Sequence, residues 1–169
     1  MPSRRHHSRS RAQSVLTGSK ARLATTFSPA CRATTYSGGE AGNDRLYGGA
    51  GKDTLEGGDG QDIFVLDTKL SKSAKVNKAN QDRIVDFSVT DDTIHLKKSV
   101  FTKMAKKGVV KKGEFYQGVK AHDRDDHVIY NRKTGALYYD ADGSGSQAQI
   151  QIATLSKNLK MTYKDFFVT

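Results

Sequence analysis

Gly39-Glu40-Ala41-Gly42-Asn43-Asp44-Arg45-Leu46-Tyr47, then Gly48-Gly49-Ala50-Gly51-Lys52-Asp53-Thr54-Leu55-Glu56, then Gly57-Gly58-Asp59-Gly60-Gln61-Asp62-Ile63-Phe64-Val65: these three rows of nine decide the fold. Each row opens with glycine and has a second glycine at its fourth position. Each carries aspartate at the sixth position (Asp44, Asp53, Asp62) and a large apolar residue at the eighth (Leu46, Leu55, Phe64). The second and third rows match G-G-x-G-x-D-x-U-x at every specified position, and the first departs only at Glu40. Ordinary hairpin turns give no reason for glycine and aspartate to recur at a strict period of nine. A repeated unit that stacks on its neighbours does.

The spacing also carries chemistry. A six-residue turn followed by a strand of about three residues fills one row. Glycine permits positive φ and close backbone approach, so carbonyl groups can turn inward. The sixth-position aspartate adds a carboxylate, and the eighth-position side chain builds a core stripe. Calcium takes about six to eight oxygens in flexible geometry. Carbonyls and carboxylates from two stacked turns meet that demand, whereas one turn cannot. Ca2+ is therefore the expected ion.

The rows resemble the RTX (repeats-in-toxin) calcium-binding repeat, and the β-roll domain at the C-terminus of serralysin-type proteases. The resemblance implies a mostly β fold: a short parallel β-roll followed by an antiparallel β C-terminal region. It also implies that calcium sits between a turn and the turn two rows later. Asp44 and Asp62 would then share an ion with carbonyls of Gly39, Ala41, Gly58 and Gly60. Asp53 faces the opposite edge, where its partners are expected near residues 30–35 and 66–71. The segments Asp82-Arg83-Ile84-Val85-Asp86-Phe87 and Asp92-Thr93-Ile94 are similar to those that close such rolls, so Asp82 or Asp86 is expected to complete a terminal site. Residues 137–145 are similar to the region that follows the repeats. Within them Asp140-x-Asp142-x-Ser144-Gly145 also matches the first half of an EF-hand loop, although position twelve is Gln151 rather than glutamate.

Beyond Val65 the sequence reads as further short strands. Asp82–Phe87 and Thr93–Leu96 alternate polar and apolar residues, with Asp91-Asp92 in a turn between them. His127–Tyr130, Ala136–Tyr139 and Ala148–Leu155 read as three more strands, with a tight turn over 131–135. Residues 69–80 read as a loop, and a short helix is expected near Phe101–Lys106. Three regions follow: a basic tail over 1–37, the roll and its closing strands over 38–96, and a β-rich C-terminal region over 97–169.

Charge and composition limit the function. Of the net +10, residues 1–37 supply +7 without one acidic residue, leaving +3 for the remainder. This tail is expected to be disordered, or to reflect a start assigned too far upstream. It has no apolar run of the length a signal peptide needs. Cys31 has no partner cysteine and no activating His, Asp or Glu near it in sequence, so it reads as inert. No stretch approaches the roughly 20 apolar residues of a membrane-spanning helix. H-E-x-x-H, G-x-S-x-G and the P-loop are all absent, and no enzyme active site is expected. The cluster His122, Asp123, Asp125, Asp126 and His127 reads as a solvated or metal-supporting loop.

The C-terminal Asp165-Phe166-Phe167-Val168-Thr169 is similar to the uncleaved signal of type I secretion substrates. The expected function is calcium binding in a secreted, extracellular bacterial protein that folds on meeting calcium, with the type I secretion machinery as a partner. Two alternatives stay open. One is the C-terminal module of a secreted hydrolase or protease. The other is a basic nucleic-acid or anionic-surface binder, though the +7 tail alone is a weak argument for nucleic acid.

Overall fold

The eighth-position residues of the rows, Leu46, Leu55 and Phe64, are buried, and their strands alternate between two sheets. The structure, a computed structural model, describes residues 36–169. Strands β1 (Tyr36–Gly38), β3 (Thr54–Glu56) and β5 (Asp82–Ile84) pair in parallel in one sheet. Strands β2 (Arg45–Tyr47), β4 (Ile63–Leu66) and β6 (Thr93–Leu96) pair in parallel in the other. Each turn of nine residues thus carries the chain from one sheet to the other, and two rows complete a coil. Leu46 lies opposite Phe64, and Phe64 opposite Ile94, so the apolar stripe of the rows continues into the segment that no longer repeats.

The C-terminal strands extend both sheets. Strand β11 (Ile150–Thr154) joins the first sheet by pairing in parallel with β5, and β12 (Phe166–Val168) joins the second by pairing in parallel with β6. The antiparallel character expected of this region holds for β9 (Val128–Asn131), β10 (Ala136–Tyr139) and β11. It gives way to parallel pairing where the region meets the roll, and where β8 (Phe115–Gln117) meets β9. The short β7 (Gly108–Val109) lies antiparallel to β12 at the far edge of the second sheet. One apolar cluster runs from Leu46 to Val168, including Phe64, Phe101, Tyr130, Leu137 and Phe166.

Two local expectations need correction. Residues 69–80 contain α1 (Ala74–Lys78), a single short helix with no buried residue. Residues 101–106 form turns rather than a helix, because Phe101 and Met104 are both drawn into the core. The expected strands over 127–130 and 148–155 appear as Val128–Asn131 and Ile150–Thr154. The tight turn before β10 ends at Gly135, whose φ of +79° admits glycine readily. Among the described residues no helix is long and apolar enough to cross a membrane. Cys31 and most of the basic tail lie outside the described residues.

Candidate metal centre

Three turns stack along one edge of the roll: 39–44, 57–62 and 85–92. Gly42 N–H donates to Asp59 O at 2.7 Å, and Ile63 N–H to Asp44 O at 2.8 Å, so the first two turns lie in register despite Glu40. The sixth-position aspartates reach back along this stack. Asp62 Oδ1 accepts from Asp44 N–H at 2.8 Å, and Asp92 Oδ1 accepts from Asp62 N–H at 3.0 Å. The opposite edge repeats the device, with Asp82 Oδ1 accepting from Asp53 N–H at 3.1 Å. Asp62, Asp82 and Asp92 each therefore spend one oxygen on the neighbouring tier's backbone.

What the second oxygen does separates the positions. Asp62 is 1% exposed, and its Oδ2 is buried without a hydrogen-bond partner among the described residues. Such an orphan oxygen costs about 1–3 kcal/mol if nothing satisfies it. The surrounding space is kept open by glycine. A Cβ on Gly57 would lie 2.2 Å from Asp62 Oδ2, and a Cβ on Gly39 would lie 2.1 Å from Gly57 O and 2.7 Å from Asp44 Oδ2. Gly57 O and the carboxylates of Asp44 and Asp62 thus supply oxygen only, the donor type a hard cation such as calcium selects. These residues fit a calcium ion. Gly58 and Gly60 lie in the same pair of turns, where their Cα atoms face the carbonyls of Glu40 and Gly42.

Electrostatics agree with this division. Burial pushes the Asp62 carboxyl up, and the nearby charges of Asp92, Asp44 and Asp86 push it the same way against its bond from Asp44 N–H. Burial likewise raises Asp82, together with the charges of Asp53 and Asp67, to about 7. At both positions burial and neighbouring carboxylates disfavour the ionised form.

The expected partners of Asp53 are corrected in part. The segment 66–71 does stack on its turn, through Thr68 Oγ1 donating to Gly49 O, but the carboxylate comes from Asp82. The loop 67–81 replaces a six-residue turn, swings out through α1, and returns an aspartate to the sixth position. Segment 30–35 lies outside the described residues.

Asp86 bonds to the backbone of the tier before it. Its Oδ1 accepts from Gly57 N–H at 2.9 Å and its Oδ2 from Gly58 N–H at 2.7 Å, so both oxygens are committed to the backbone. Asp92 is similarly committed, with Oδ2 accepting from Ser88 N–H at 2.8 Å. These two residues close the end of the stack with amide donors. The sequence places Asp92 in a turn and in a roll-closing segment but does not single it out as a site residue. The signal that reveals it is the tripeptide Asp-x-apolar, which runs through Asp44-Arg45-Leu46, Asp53-Thr54-Leu55, Asp62-Ile63-Phe64, Asp82-Arg83-Ile84 and Asp92-Thr93-Ile94.

Asp140 and Asp142 are remote in sequence from the roll turns, in the turn after β10. Asp142 N–H donates to Asp140 Oδ1 at 3.2 Å, and Gln147 N–H to Asp142 Oδ2 at 3.2 Å. Burial raises the Asp140 carboxyl against the bond it accepts from Asp142 N–H, and the Asp142 side chain adds to the rise. The flanks are strands, and Gln151 turns to Thr154 Oγ1 at 2.9 Å, so the EF-hand likeness ends at its first half. The His122, Asp123 and Asp126 side chains gather within 4.8 Å, but Asp126 Oδ2 is taken by His122 and Asp123 N–H.

Comparison with a repeat-family model agrees with the turn geometry. The family model of the RTX calcium-binding nonapeptide repeat matches residues 39–67. Among solved structures, the chain is similar to the AlgE6R3 subunit of the Azotobacter vinelandii mannuronan C5-epimerase. The two share 18% identity over 86% of this chain and 85% of that one, with a TM-score of 0.29. No curated protein matches. The chain therefore carries RTX calcium-binding nonapeptide repeats over residues 39–67.

Proposed function

We propose that this chain is a calcium-triggered folding module of a secreted bacterial protein, with its principal ion between the turns 39–44 and 57–62. Asp44 and Asp62 supply carboxylates there, and the glycine-rich turns supply carbonyls, those of Gly39, Ala41, Gly58 and Gly60 among them. A second ion position lies on the opposite edge between Asp53 and Asp82. The observation that carries the reading is the buried Asp62 Oδ2, which has no partner among the described residues while Oδ1 of the same carboxylate is bonded. Calcium supplies the positive charge that lets these carboxylates lie close together in the folded state.

The switch follows from mass action. In low calcium the aspartates repel one another, and the glycine-rich rows lose the most conformational entropy on ordering. Calcium binds only the folded roll and stabilises it in proportion to its concentration. A chain that stays unfolded in the cytosol suits export through the type I machinery, and it would fold on reaching extracellular calcium. The test is isothermal titration calorimetry of the metal-free chain and of D44A/D62A. Saturable calcium binding in the parent and its loss in the double variant support the assignment. Unchanged binding in the double variant refutes it.

A further inference from the structure

Asn80-Gln81-Asp82-Arg83-Ile84 runs in step with Gly42-Asn43-Asp44-Arg45-Leu46, Gly51-Lys52-Asp53-Thr54-Leu55 and Gly60-Gln61-Asp62-Ile63-Phe64. Thr54 lies opposite Arg83, and Leu55 opposite Ile84. Asn80 therefore falls at the fourth position of a tier, the place that glycine holds in all three rows. Gly42, Gly51 and Gly60 take φ of +144°, +138° and +141° there, a region that residues with a Cβ avoid. Asn80 does not enter it. The backbone of this tier must follow another path, and the loop 67–81 provides one. Asn77 holds the excursion closed, with Oδ1 accepting from Ser71 N–H at 2.8 Å and Nδ2 donating to Ser71 O at 2.7 Å. Asn80 N–H then donates to Asn77 O at 2.9 Å.

A turn that loses its glycines loses the inward carbonyls they permit. Asn80 carries a carbonyl on its side chain instead. Its Oδ1 is buried without a hydrogen-bond partner among the described residues, the mark that Asp62 Oδ2 bears on the first edge. Asp82, two residues on, is 3% exposed, and its Oδ1 is taken by Asp53 N–H. A Cβ on Gly48 would lie 2.5 Å from Asp82 Oδ2, so glycine keeps the second oxygen clear here as it does at Asp62. Asn80 and Asp82 border one small cavity of about 20 Å³ beneath the loop, together with Thr68. Calcium accepts a side-chain amide oxygen as readily as a backbone carbonyl.

We infer that Asn80 is a ligand of the second ion, with Oδ1 replacing the turn carbonyl that a nonapeptide row would supply; this rests on the reading of the Asp53–Asp82 edge as a calcium site. Calcium then anchors the loop 67–81 to the roll through a residue that lies outside the rows. The loop is not a break in the stack but a tier built with a side-chain oxygen. An ordered water would also give Asn80 Oδ1 a donor, but residue 80 would then have no effect on calcium affinity.

The experiment titrates the full chain with calcium and follows amide exchange by NMR at one reporter on each edge. Arg83 N–H, bonded to Asp53 O at 2.8 Å, reports the second edge, and Ile63 N–H, bonded to Asp44 O at 2.8 Å, reports the first. The variants are N80A, which removes the oxygen, and N80D, which keeps one and adds charge. N80A should raise the calcium concentration that half-protects Arg83 by about tenfold or more, while the value for Ile63 stays within about twofold of the parent's. N80D should hold the parent's value at Arg83 or lower it. An unchanged Arg83 midpoint in N80A overturns the inference. So does an equal shift at both reporters, or an N80D as weak as N80A. A parent with no calcium-dependent protection at either reporter defeats the calcium reading itself, and the inference with it, whereas the other adverse outcomes leave that reading standing.

Discussion

At the scale of single residues, the two oxygens of Asp62 have separate duties, and substitutions can part them. D62N keeps an acceptor for Asp44 N–H but removes the charge. Calcium affinity should then fall by about tenfold or more in a calorimetric titration. The metal-free protein should become no less stable, since burial and the charges of Asp92, Asp44 and Asp86 already disfavour the Asp62 carboxylate. G57A should also weaken calcium, because its methyl group would occupy the space 2.2 Å from Asp62 Oδ2. Asp82 sets a pH dependence. Its carboxyl is raised to about 7 in the fold, so between about pH 4 and pH 7 the metal-free folded state holds a proton that the unfolded chain has released. Stability of the metal-free protein should fall as pH rises through that window, by up to about 4 kcal/mol from this residue. Thermal melts in EDTA should show the slope, and D82N should flatten it.

At the scale of elements, the last tier of the stack is closed by amide donors rather than by cation-facing oxygens. Asp86 holds Gly57 and Gly58, and Asp92 holds Asp62 and Ser88. D86A removes two charge-assisted bonds and should destabilise the protein by about 1.5–3 kcal/mol or more, in calcium and in EDTA alike. A loss confined to calcium would contradict this role and return Asp86 to the ligands. The rows themselves were legible because their glycines, aspartates and apolar residues each answer to a separate physical demand at one period. Asp140 and Asp142 were legible as a turn, since Asx geometry is local. Helix α1 was not legible, because five residues without a buried face leave no periodic signal. The helix expected at 101–106 failed for the opposite reason: Phe101 and Met104 can satisfy helical spacing or reach the core from a turn, and tertiary packing decided it.

At the scale of the molecule, the two sheets of the roll run on into the C-terminal strands, and one core serves both. That continuity was hidden from sequence because β11 pairs with β5, and β12 with β6, across about 70 residues. Local pattern identifies strands but carries no register over such a distance. Phe64 lies fully buried in this core against Phe87, so F64A should cost about 3–5 kcal/mol by denaturant unfolding in calcium. The most direct test is circular dichroism of the metal-free chain titrated with calcium, with magnesium in parallel. A calcium-specific gain of β signal that saturates, and that D44A/D62A abolishes, is the expected result. A metal-free chain that already shows the full β signal, or an equal response to magnesium, would contradict the calcium-triggered roll.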